Sequence, residues 1–295
     1  MTQRIGIDLG GTKTEIVLAG DNPLDYRDRK RVPTQQEKGY RFIVEQTAGL
    51  IREYMSACDE TPAIGVGIPG SISPQTGLVR NANTVCLNGQ PLRKDLEELV
   101  GMPVLVENDA NCFALSEALF GAAKGKDVVI GLIMGTGMGG GIVKSGKIWN
   151  GLNGIAAEFG HTSIDIDGRD CWCGEKGCLE RYICGPAVEG QYEEKTGEPL
   201  DLRDIIQRYE KRDDNAAQAV VEDLIRFFAR GVANIITAFD PDVVVLGGGL
   251  SNIPQLYEKG AELARKQVFS DSCSTPIIQN KLGDSSGVFG AALLA

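Results

Sequence analysis

Short apolar runs separated by glycine or proline define the strands that the sequence predicts. Residues 5–9 and 14–19 are two such runs around a glycine turn, which is the pattern of a β-hairpin. Residues 63–69 and 104–107 are further apolar runs bounded by Pro or Gly, and both are predicted as buried strands. The amino-terminal part of the chain is therefore expected to be built on a sheet.

The later part of the chain repeats this arrangement. Residues 128–134 are predicted as a buried strand, and residues 142–144 as a strand that follows a glycine-rich turn. A third apolar run, residues 243–246, leads into another glycine cluster. The two strand–glycine turn–strand units, near residues 10 and 137, suggest that the chain consists of two similar α/β halves.

Apolar residues at helical spacing predict the helices. Residues 38–58, 109–120 and 215–239 each place apolar side chains on one face, at the period of about 3.6 residues of an amphipathic helix. A shorter helix is expected over residues 255–268. We expect Asp109 to open the second helix, either as a simple N-cap or as a functional carboxylate.

The length of 295 residues suits two domains of about 150 residues each. We expect one domain over residues 1–115, rejoined by a carboxyl-terminal helix at about 285–295, and a second domain over residues 116–284. No low-complexity linker separates them.

The charge balance limits the partners. The chain has 30 Lys and Arg against 40 Asp and Glu, a formal net charge of −10. Nucleic acid and anionic membrane surfaces both require a basic face, so neither is expected as a partner. No apolar stretch reaches the roughly 18–20 residues of a membrane span, and Asp8 falls where a signal peptide would be apolar. A cytoplasmic location is expected.

Glycine accounts for 38 residues, about twice the usual share of about 7%, and it is concentrated in turns after strands. The first turn reads Asp8-Leu9-Gly10-Gly11-Thr12-Lys13. Glycine lets backbone N–H groups approach phosphate oxygens, Thr12 adds a hydroxyl, and Lys13 adds a cation. Asp8 offers a carboxylate that can hold a hydrated Mg²⁺. An ordinary hairpin turn is the alternative.

Two more glycine turns follow predicted strands. The second contains Gly135, Thr136, Gly137 and Gly139, and the third is Gly247-Gly248-Gly249. A strand follows the second turn, so it does not match a dinucleotide fingerprint, which requires a helix there. The third turn suits a surface where the backbone lies against an adenine or a ribose. Three glycine turns at strand ends favour a nucleotide site over flexible loops.

A compact set of histidine and cysteine residues predicts a metal site. His161 is the single histidine of the chain, and it precedes Cys171, Cys173 and Cys178. Three thiolates and one imidazole make a closed tetrahedral set typical of structural Zn²⁺. Buried, unrelated thiols are the alternative, since cysteine is among the most buried residue types.

Acidic and amide side chains at strand ends are candidates for phosphoryl transfer and sugar recognition. An ionised Asp109 at a helix N-terminus could accept the proton of an attacking hydroxyl, as a kinase requires. Glu158 and Glu180 flank the histidine–cysteine set, and carboxylates bind sugar hydroxyls. Asn81 and Asn83 are further amide candidates, with plain turn chemistry as the alternative.

These motifs resemble those of the ROK family (repressors, open reading frames and sugar kinases), in its kinase branch, along the whole chain. The matching segments are Ile7–Lys13, Gly67–Gly70, Glu107–Asn111, Gly135–Gly139, Glu158–His161, Cys171–Gly174 and Gly177–Glu180. The spacing of the histidine and cysteines is highly specific, whereas the glycine turns are shared with the wider actin and hexokinase superfamily. Bacterial fructokinase-like members resemble the chain further at residues 68–74, 81–83 and 87–91. Ala157 stands where members usually carry glycine.

The resemblance implies an α/β, actin-like (RNase H-like) ATPase fold, with two α/β domains around a cleft. It also implies ATP with Mg²⁺ as the phosphoryl donor, a hexose as the acceptor, a structural Zn²⁺ and a homodimer. Asp109 is then the catalytic base, and the glycine turns bind the nucleotide. The residues implied to contact the sugar are Asn83, Asn108, Asp109, Glu158, His161 and Glu180. His161 would bind zinc through one ring nitrogen and face the sugar with the other.

The function expected is therefore an ATP-dependent hexose kinase that phosphorylates the 6-hydroxyl of fructose or of a related hexose such as glucose or mannose. A kinase of N-acetylglucosamine or N-acetylmannosamine is the alternative. A sugar-sensing transcriptional regulator of the same family is disfavoured, because the first glycine turn begins at Asp8 and we expect no helix-turn-helix ahead of it.

Overall fold

The structure is a computed structural model that describes residues 3–294. The predicted domain limits at residues 1 and 295 therefore lie outside the described residues. In chain order, the strands are β1 Arg4–Leu9, β2 Lys13–Ala19, β3 Asp28–Pro33, β4 Ala63–Ile68, β5 Ser71–Ile72, β6 Val79–Arg80, β7 Leu105–Asn108, β8 Val128–Met134, β9 Met138–Lys144, β10 Lys147–Ile148, β11 Val243–Gly247 and β12 Ile277–Gln279. The helices are α1 Tyr40–Met55, α2 Leu92–Val100, α3 Asp109–Leu119, α4 Glu180–Ile183, α5 Gly185–Thr196, α6 Leu202–Lys211, α7 Asn215–Phe239, α8 Ala261–Gln267 and α9 Ser286–Ala292.

The described residues pack into two compact units. Unit 1 contains the chain up to Gly125, then Gly141–Ala156, and finally the chain from Leu282 onward; unit 2 contains Lys126–Gly140 and Ala157–Lys281. Unit 1 thus includes residues 141–156, a segment that no sequence pattern separates from its neighbours. The division at residues 115 and 284 that we expect from the sequence stays a prediction.

The sheet of unit 1 has the strand order β3-β2-β1-β4-β7. The predicted hairpin is confirmed, since β1 and β2 pair antiparallel, whereas β4 lies parallel to β1 and β7 parallel to β4. Ile5, Ile7 and Leu9 point from β1 into the apolar core that includes residues of α1 and α2. Because side chains alternate along a strand, Gly6 and Asp8 lie on the other face.

Helix α9 lies close against that other face of the unit 1 sheet. A Cβ on Gly6 would overlap the carbonyl oxygen of Val288, and a Cβ on Gly65 would overlap that of Ala291. Gly6 and Gly65 are paired across β1 and β4, so this part of the sheet surface has no side chains and the backbone of α9 packs directly against it. This close packing puts Gly287 at the start of α9 beside the Asp8 carboxylate.

A second sheet has the strand order β10-β9-β8-β11-β12, and β11 lies parallel to both β8 and β12. The long helix predicted over residues 215–239 is confirmed as α7, and Asp214 caps it by accepting N–H groups of Ala216 and Ala217. In unit 2, α7 packs against α4, α5, α6 and α8. Its apolar face is fully buried along most of its length, as the 3.6-residue pattern predicts.

Several elements differ from the expectations. The helix expected over residues 255–268 consists of a π-helical turn, Leu256–Gly260, that continues into α8. Strand β3 and helices α2, α5 and α6 have no counterpart among the predicted elements. Among residues 3–294, no helix is both long enough and apolar enough to cross a membrane.

Candidate active site

Asp8 lies in a row of charged side chains across the unit 1 sheet. It is opposite Glu15 of β2, which is opposite Arg31 of β3, and the Arg31 Nε atom lies 2.8 Å from a Glu15 carboxylate oxygen. Burial raises the pKa of Asp8 to about 7, and the charges of Asp109 and Glu15 raise it further, against the opposing effects of Lys13 and Arg31. The carboxylates of Asp8 and Asp109 are therefore close enough to interact.

The first glycine turn is held by its own backbone and by one buried threonine. The Gly10 N–H donates to the Lys13 carbonyl at 3.0 Å. Thr34 binds the turn at both ends, because its hydroxyl donates to the Gly10 carbonyl at 2.6 Å and its N–H donates to the Thr12 carbonyl at 3.0 Å. Thr12 and Lys13 are both exposed. The turn thus leaves a hydroxyl and an ammonium group accessible to an anion.

Asp109 is the first residue of α3, and it is not the N-cap that the simpler interpretation proposes. Asn108 is the cap: its Oδ1 atom accepts the N–H groups of Ala110 and Asn111 at 3.0 and 3.1 Å. The Asn108 amide also donates to the Gly70 carbonyl at 3.0 Å and to Asp109 Oδ1 at 3.1 Å. A second donor to Asp109 Oδ1 is the Ala110 N–H, at 2.8 Å.

This arrangement orients the Asp109 side chain, which is partly exposed. The helix N-terminus favours the ionised carboxylate, and both observed donors bind the same oxygen. Since β1, β4 and β7 are parallel, their carboxyl ends meet at one edge of the sheet. Asp109 and the first glycine turn therefore share that edge in unit 1.

Asn83 belongs to a compact segment that reaches the first glycine turn. Asn88 braces this segment, because its side chain accepts the Ala82 N–H at 2.9 Å and donates to the Ala82 carbonyl at 2.8 Å. Asn83 itself is exposed, and its neighbour Thr84 is buried with its hydroxyl 3.2 Å from the position of a Cβ on Gly11. The structure thus brings the Asn83 segment and the turn together in unit 1.

The second glycine turn, in unit 2, contacts the carboxylate of Glu180. The Met138 N–H donates to Glu180 Oε2 at 2.9 Å, and a Cβ on Gly137 would lie 2.7 Å from the same oxygen. Gly135 accepts the N–H of Gly185 at 2.8 Å. The turn is therefore fixed to α4 and α5 through one carboxylate and one backbone bond.

The third glycine turn lies beside the strand that leads into the second. Gly248 has a φ of 78°, and a Cβ there would overlap the Met134 carbonyl at the end of β8. Gly249 follows as the start of a 3₁₀ turn, Gly249–Asn252. Since β8 and β11 are parallel neighbours, the two predicted nucleotide turns, at 135–139 and 247–249, meet at the carboxyl ends of these two strands.

The predicted metal ligands come together in unit 2. The ligand atoms of His161, Cys171, Cys173 and Cys178 all lie within 4.8 Å of one another. The Cys173 and Cys178 sulfurs are 3.6 Å apart, and Cys171 Sγ is 3.8 Å from His161 Nδ1. A tetrahedral ion with Zn–S bonds of about 2.3 Å places two thiolates about 3.8 Å apart, so the cluster fits zinc.

Glycines shape the loop that carries these ligands. Gly177 has a φ of 66°, and a Cβ there would overlap the Asp165 carbonyl. The thiols in this loop differ in acidity: burial raises the pKa of Cys178 to about 12, whereas the Glu175 N–H lowers the pKa of Cys173.

Glu158 and His161 bracket a short 3₁₀ helix, Phe159–His161. The Glu158 side chain is partly exposed. Its neighbour Ala157 has a φ of 72°, a left-handed conformation that favours glycine. This explains why glycine suits the position before Glu158, and why alanine there is strained.

Two features of the site were not predicted from the sequence. One is the ion pair between the buried Glu15, beside Asp8, and the exposed Arg31; the other is Trp172, whose indole N–H donates to Glu180 Oε1 at 2.8 Å. Both depend on partners that are distant in sequence or on the course of a loop. The histidine–cysteine spacing predicted a metal-binding loop, but it predicted no role for Trp172, which lies between two of the ligands.

Known proteins resemble the chain over nearly its full length. The profile of the ROK family matches residues 4–295. An N-acetyl-D-glucosamine kinase of Vibrio atlanticus is 41% identical over 299 residues, which cover 98% of each chain.

Solved structures agree with this family match. A ROK hexokinase of Thermus thermophilus is 34% identical with a TM-score of 0.89, over 100% of this chain and 98% of that one. A ROK glucokinase of Streptomyces griseus, crystallised with glucose and AMPPNP, is 29% identical with a TM-score of 0.81, over 99% of each chain. The predicted actin-like ATPase fold is confirmed. The chain therefore belongs to the ROK family, and it is a sugar kinase.

Proposed function

We propose that the protein transfers the γ-phosphoryl group of ATP to the 6-hydroxyl of N-acetylglucosamine. The choice of acceptor is supported by the curated relative at 41% identity, which is named for that sugar. The choice of donor is supported by the glucokinase that binds AMPPNP, an analogue of ATP.

Asp109 is the proposed catalytic base, and its placement is the observation on which the mechanism depends. It begins α3, is partly exposed, and has one carboxylate oxygen held by Asn108 and the Ala110 N–H. The carboxylate accepts the proton of the sugar 6-hydroxyl while the oxygen of this hydroxyl forms a bond to the γ-phosphorus of ATP. The bond from this phosphorus to the bridging oxygen breaks, and ADP leaves with the electron pair.

Asp8 is the proposed residue for a hydrated Mg²⁺. Its pKa is raised to about 7 by burial and by nearby carboxylate charge, which is the environment that a divalent cation relieves. When bound, Mg²⁺ would neutralise charge on the ATP phosphates. Around Asp8, we assign Gly10, Gly11, Thr12 and Lys13 to phosphate binding.

The remaining roles are assigned as follows. We assign nucleotide binding to Gly135, Thr136, Gly137, Gly139, Gly247, Gly248 and Gly249. Sugar hydroxyls and the acetamido group are bound by Asn83, Asn108, Glu158, His161 and Glu180. Both amide hydrogens and both oxygen lone pairs of Asn108 already have intramolecular partners, so a sugar contact would have to share or replace one of these bonds.

His161, Cys171, Cys173 and Cys178 are the proposed zinc ligands. His161 Nδ1 is the ring nitrogen near Cys171, so Nε2 would face the sugar. A bound Zn²⁺ would order the loop and take no part in the transfer. A homodimer and a cytoplasmic location remain predictions from the family resemblance and the composition.

A free hexose such as glucose or fructose is the second candidate acceptor. The hexokinase and glucokinase among the similar structures favour it, as does the resemblance of residues 68–74, 81–83 and 87–91 to fructokinase-like members.

One assay separates these acceptors. ADP release is measured with N-acetylglucosamine, N-acetylmannosamine, glucose, mannose and fructose, and the site of phosphorylation is read by NMR of the product. We expect the highest kcat/KM for N-acetylglucosamine and a 6-phosphate product. A higher kcat/KM for fructose or glucose would replace the proposed acceptor, and a lack of turnover with every sugar would contradict the proposed function.

A further inference from the structure

Trp172 lies inside the histidine–cysteine loop but has contacts that a metal site does not need. Its indole N–H donates to Glu180 Oε1 at 2.8 Å. Its ring meets the His161 ring edge-on, with centroids 4.8 Å apart and an angle of 90° between the planes. The residue is 63% exposed, so burial of its ring does not explain these contacts.

Glu180 receives a second donor on its other oxygen. The Met138 N–H donates to Oε2 at 2.9 Å, and Gly137 leaves space for that oxygen because it has no side chain. One carboxylate therefore accepts an N–H group from the loop and another from the second glycine turn. These two bonds fix both the position and the rotation of the carboxylate plane.

The two donors leave Glu180 able to bind a hydroxyl. A carboxylate offers about four lone-pair sites, and two of them are used here, so the others can accept sugar hydroxyls. Without the indole N–H, only the Oε2 bond would remain, and the carboxylate could turn about it. Preorganised acceptors bind more tightly because less freedom is lost on binding.

We propose that Trp172 is a positioning residue for the acceptor sugar: its indole N–H holds Glu180 in the orientation that receives sugar hydroxyls. The order of the metal loop then controls the geometry of a sugar-binding carboxylate. This inference rests on the proposed function, since it requires Glu180 to contact the sugar.

Kinetics of two Trp→Phe variants test the role. Trp172→Phe keeps an aromatic ring beside His161 and removes the N–H, whereas Trp149→Phe is the matched control on a half-exposed tryptophan of unit 1. For Trp172→Phe we expect the sugar KM to rise about tenfold, in line with the loss of a hydrogen bond to a charged group. We expect the KM for ATP and the zinc content to stay as in Trp149→Phe.

Tryptophan emission gives a readout that does not depend on turnover. The chain has two tryptophans, so Trp149→Phe leaves Trp172 as the single emitter. We expect the acceptor sugar to shift this emission saturably, because hydroxyls bound at Glu180 displace water around the indole N–H. Xylose at the same concentration, which lacks both the 6-hydroxymethyl group and the 2-acetamido group of the proposed acceptor, is expected to produce a weaker shift.

A double-variant cycle tests whether Trp172 acts through Glu180. Gln has only one acceptor oxygen, so Glu180→Gln cannot accept from both Met138 and Trp172 on separate oxygens. We expect Trp172→Phe to raise the sugar KM little further in the Glu180→Gln background. Effects that multiply would show that the two residues act independently.

Apart from effects that multiply in the double variant, three results would overturn the inference while the wild-type protein phosphorylates a sugar normally. They are an unchanged sugar KM in Trp172→Phe, an emission from Trp172 that does not respond to sugar, and a loss of zinc or folding in Trp172→Phe. The last would assign Trp172 to loop stability. A wild-type protein without sugar kinase activity would instead count against the proposed function.

Discussion

The glycine turns after β1 and after β8 each join two consecutive strands, but the acidic side chain beside each is held differently. Beside the first turn, Asp8 is partly buried near the like charges of Asp109 and Glu15, and its pKa is raised to about 7. Beside the second turn, Glu180 accepts N–H groups on both oxygens. The first environment suits a bound cation, and the second suits hydroxyl recognition. We therefore propose that one supersecondary unit supports two chemical roles through the residues around it.

Removal of the metal should have the largest effect. It would disturb the surroundings of Glu180 and leave those of Asp8 intact. We expect one zinc per chain in the purified protein. Cys173→Ser should lose the zinc, lower sugar kinase activity at least about 100-fold, and expose residues 158–180 to proteases, because a structural metal stabilises its loop directly. Metal analysis, activity and limited proteolysis measure these effects.

The control for that variant is Cys58→Ser, on a half-buried cysteine outside the cluster whose thiol donates to the Tyr54 carbonyl. It should keep the zinc and the activity. Purified wild-type protein without zinc, or a fully active Cys173→Ser, would contradict the role of the loop.

The pKa of Asp8 predicts how the first environment depends on pH. Because this pKa is raised from 3.8 to about 7, the folded protein holds the proton more tightly than the unfolded chain does. The contribution of Asp8 to stability is thus greatest at low pH and is lost as the pH rises from about 4 to about 7. In the absence of divalent cations, the Tm of the wild-type protein should therefore fall as the pH rises from about 4 to about 7, and Asp8→Asn should make this fall smaller.

The proton that binds to the Asp8 carboxylate should compete with Mg²⁺ for this group. We expect the apparent dissociation constant of Mg²⁺ to rise about tenfold for each pH unit below 7, measured by thermal shift at fixed nucleotide concentration. Asp109→Asn removes the nearby carboxylate charge that helps to raise this pKa, so it should move the transition to lower pH. A Mg²⁺ affinity that is constant from pH 5 to pH 8 would exclude Asp8 as the ligand.

The smallest effect concerns Ala157, which precedes Glu158 and has a φ of 72°. A left-handed alanine costs about 1–2 kcal/mol, and glycine in the same place costs some entropy in the unfolded chain. Ala157→Gly should therefore raise the Tm by about 1–2 °C in scanning calorimetry. Ala219→Gly, on the exposed face of α7, is the control that should lower it; a lower Tm for both would refute the strain at Ala157.

Local sequence patterns predicted the elements whose conformation depends mainly on their own residues and not on distant partners. The long helix α7 matches the predicted range because its apolar stripe lies between the cap residue Asp214 and the Asp240–Pro241 break. Strand β3 was missed because five of its six residues are exposed and four are charged. Its conformation depends on pairing with β2, and charged side chains are common on such edge strands.

The candidate site was predictable where residue type and spacing limit the chemistry. The single histidine and three cysteines indicated the metal cluster that the structure brings together. The choice between Asn108 and Asp109 as the helix cap was not predictable, since both residue types cap helices. The bond between Trp172 and Glu180 depends on how the loop between them turns, and no local pattern encodes that.

The most direct test of the account is turnover of the Asp109→Asn variant with the acceptor sugar and ATP. Asn keeps an oxygen for the Asn108 and Ala110 donors but cannot take up the proton of the sugar hydroxyl. We expect kcat to fall by about 10²–10⁴-fold, with the KM for each substrate within about threefold of wild type. Asp59→Asn, on a carboxylate that is 80% exposed, should have wild-type kinetics. Turnover of Asp109→Asn at the wild-type rate would contradict the central claim that this carboxylate is the catalytic base.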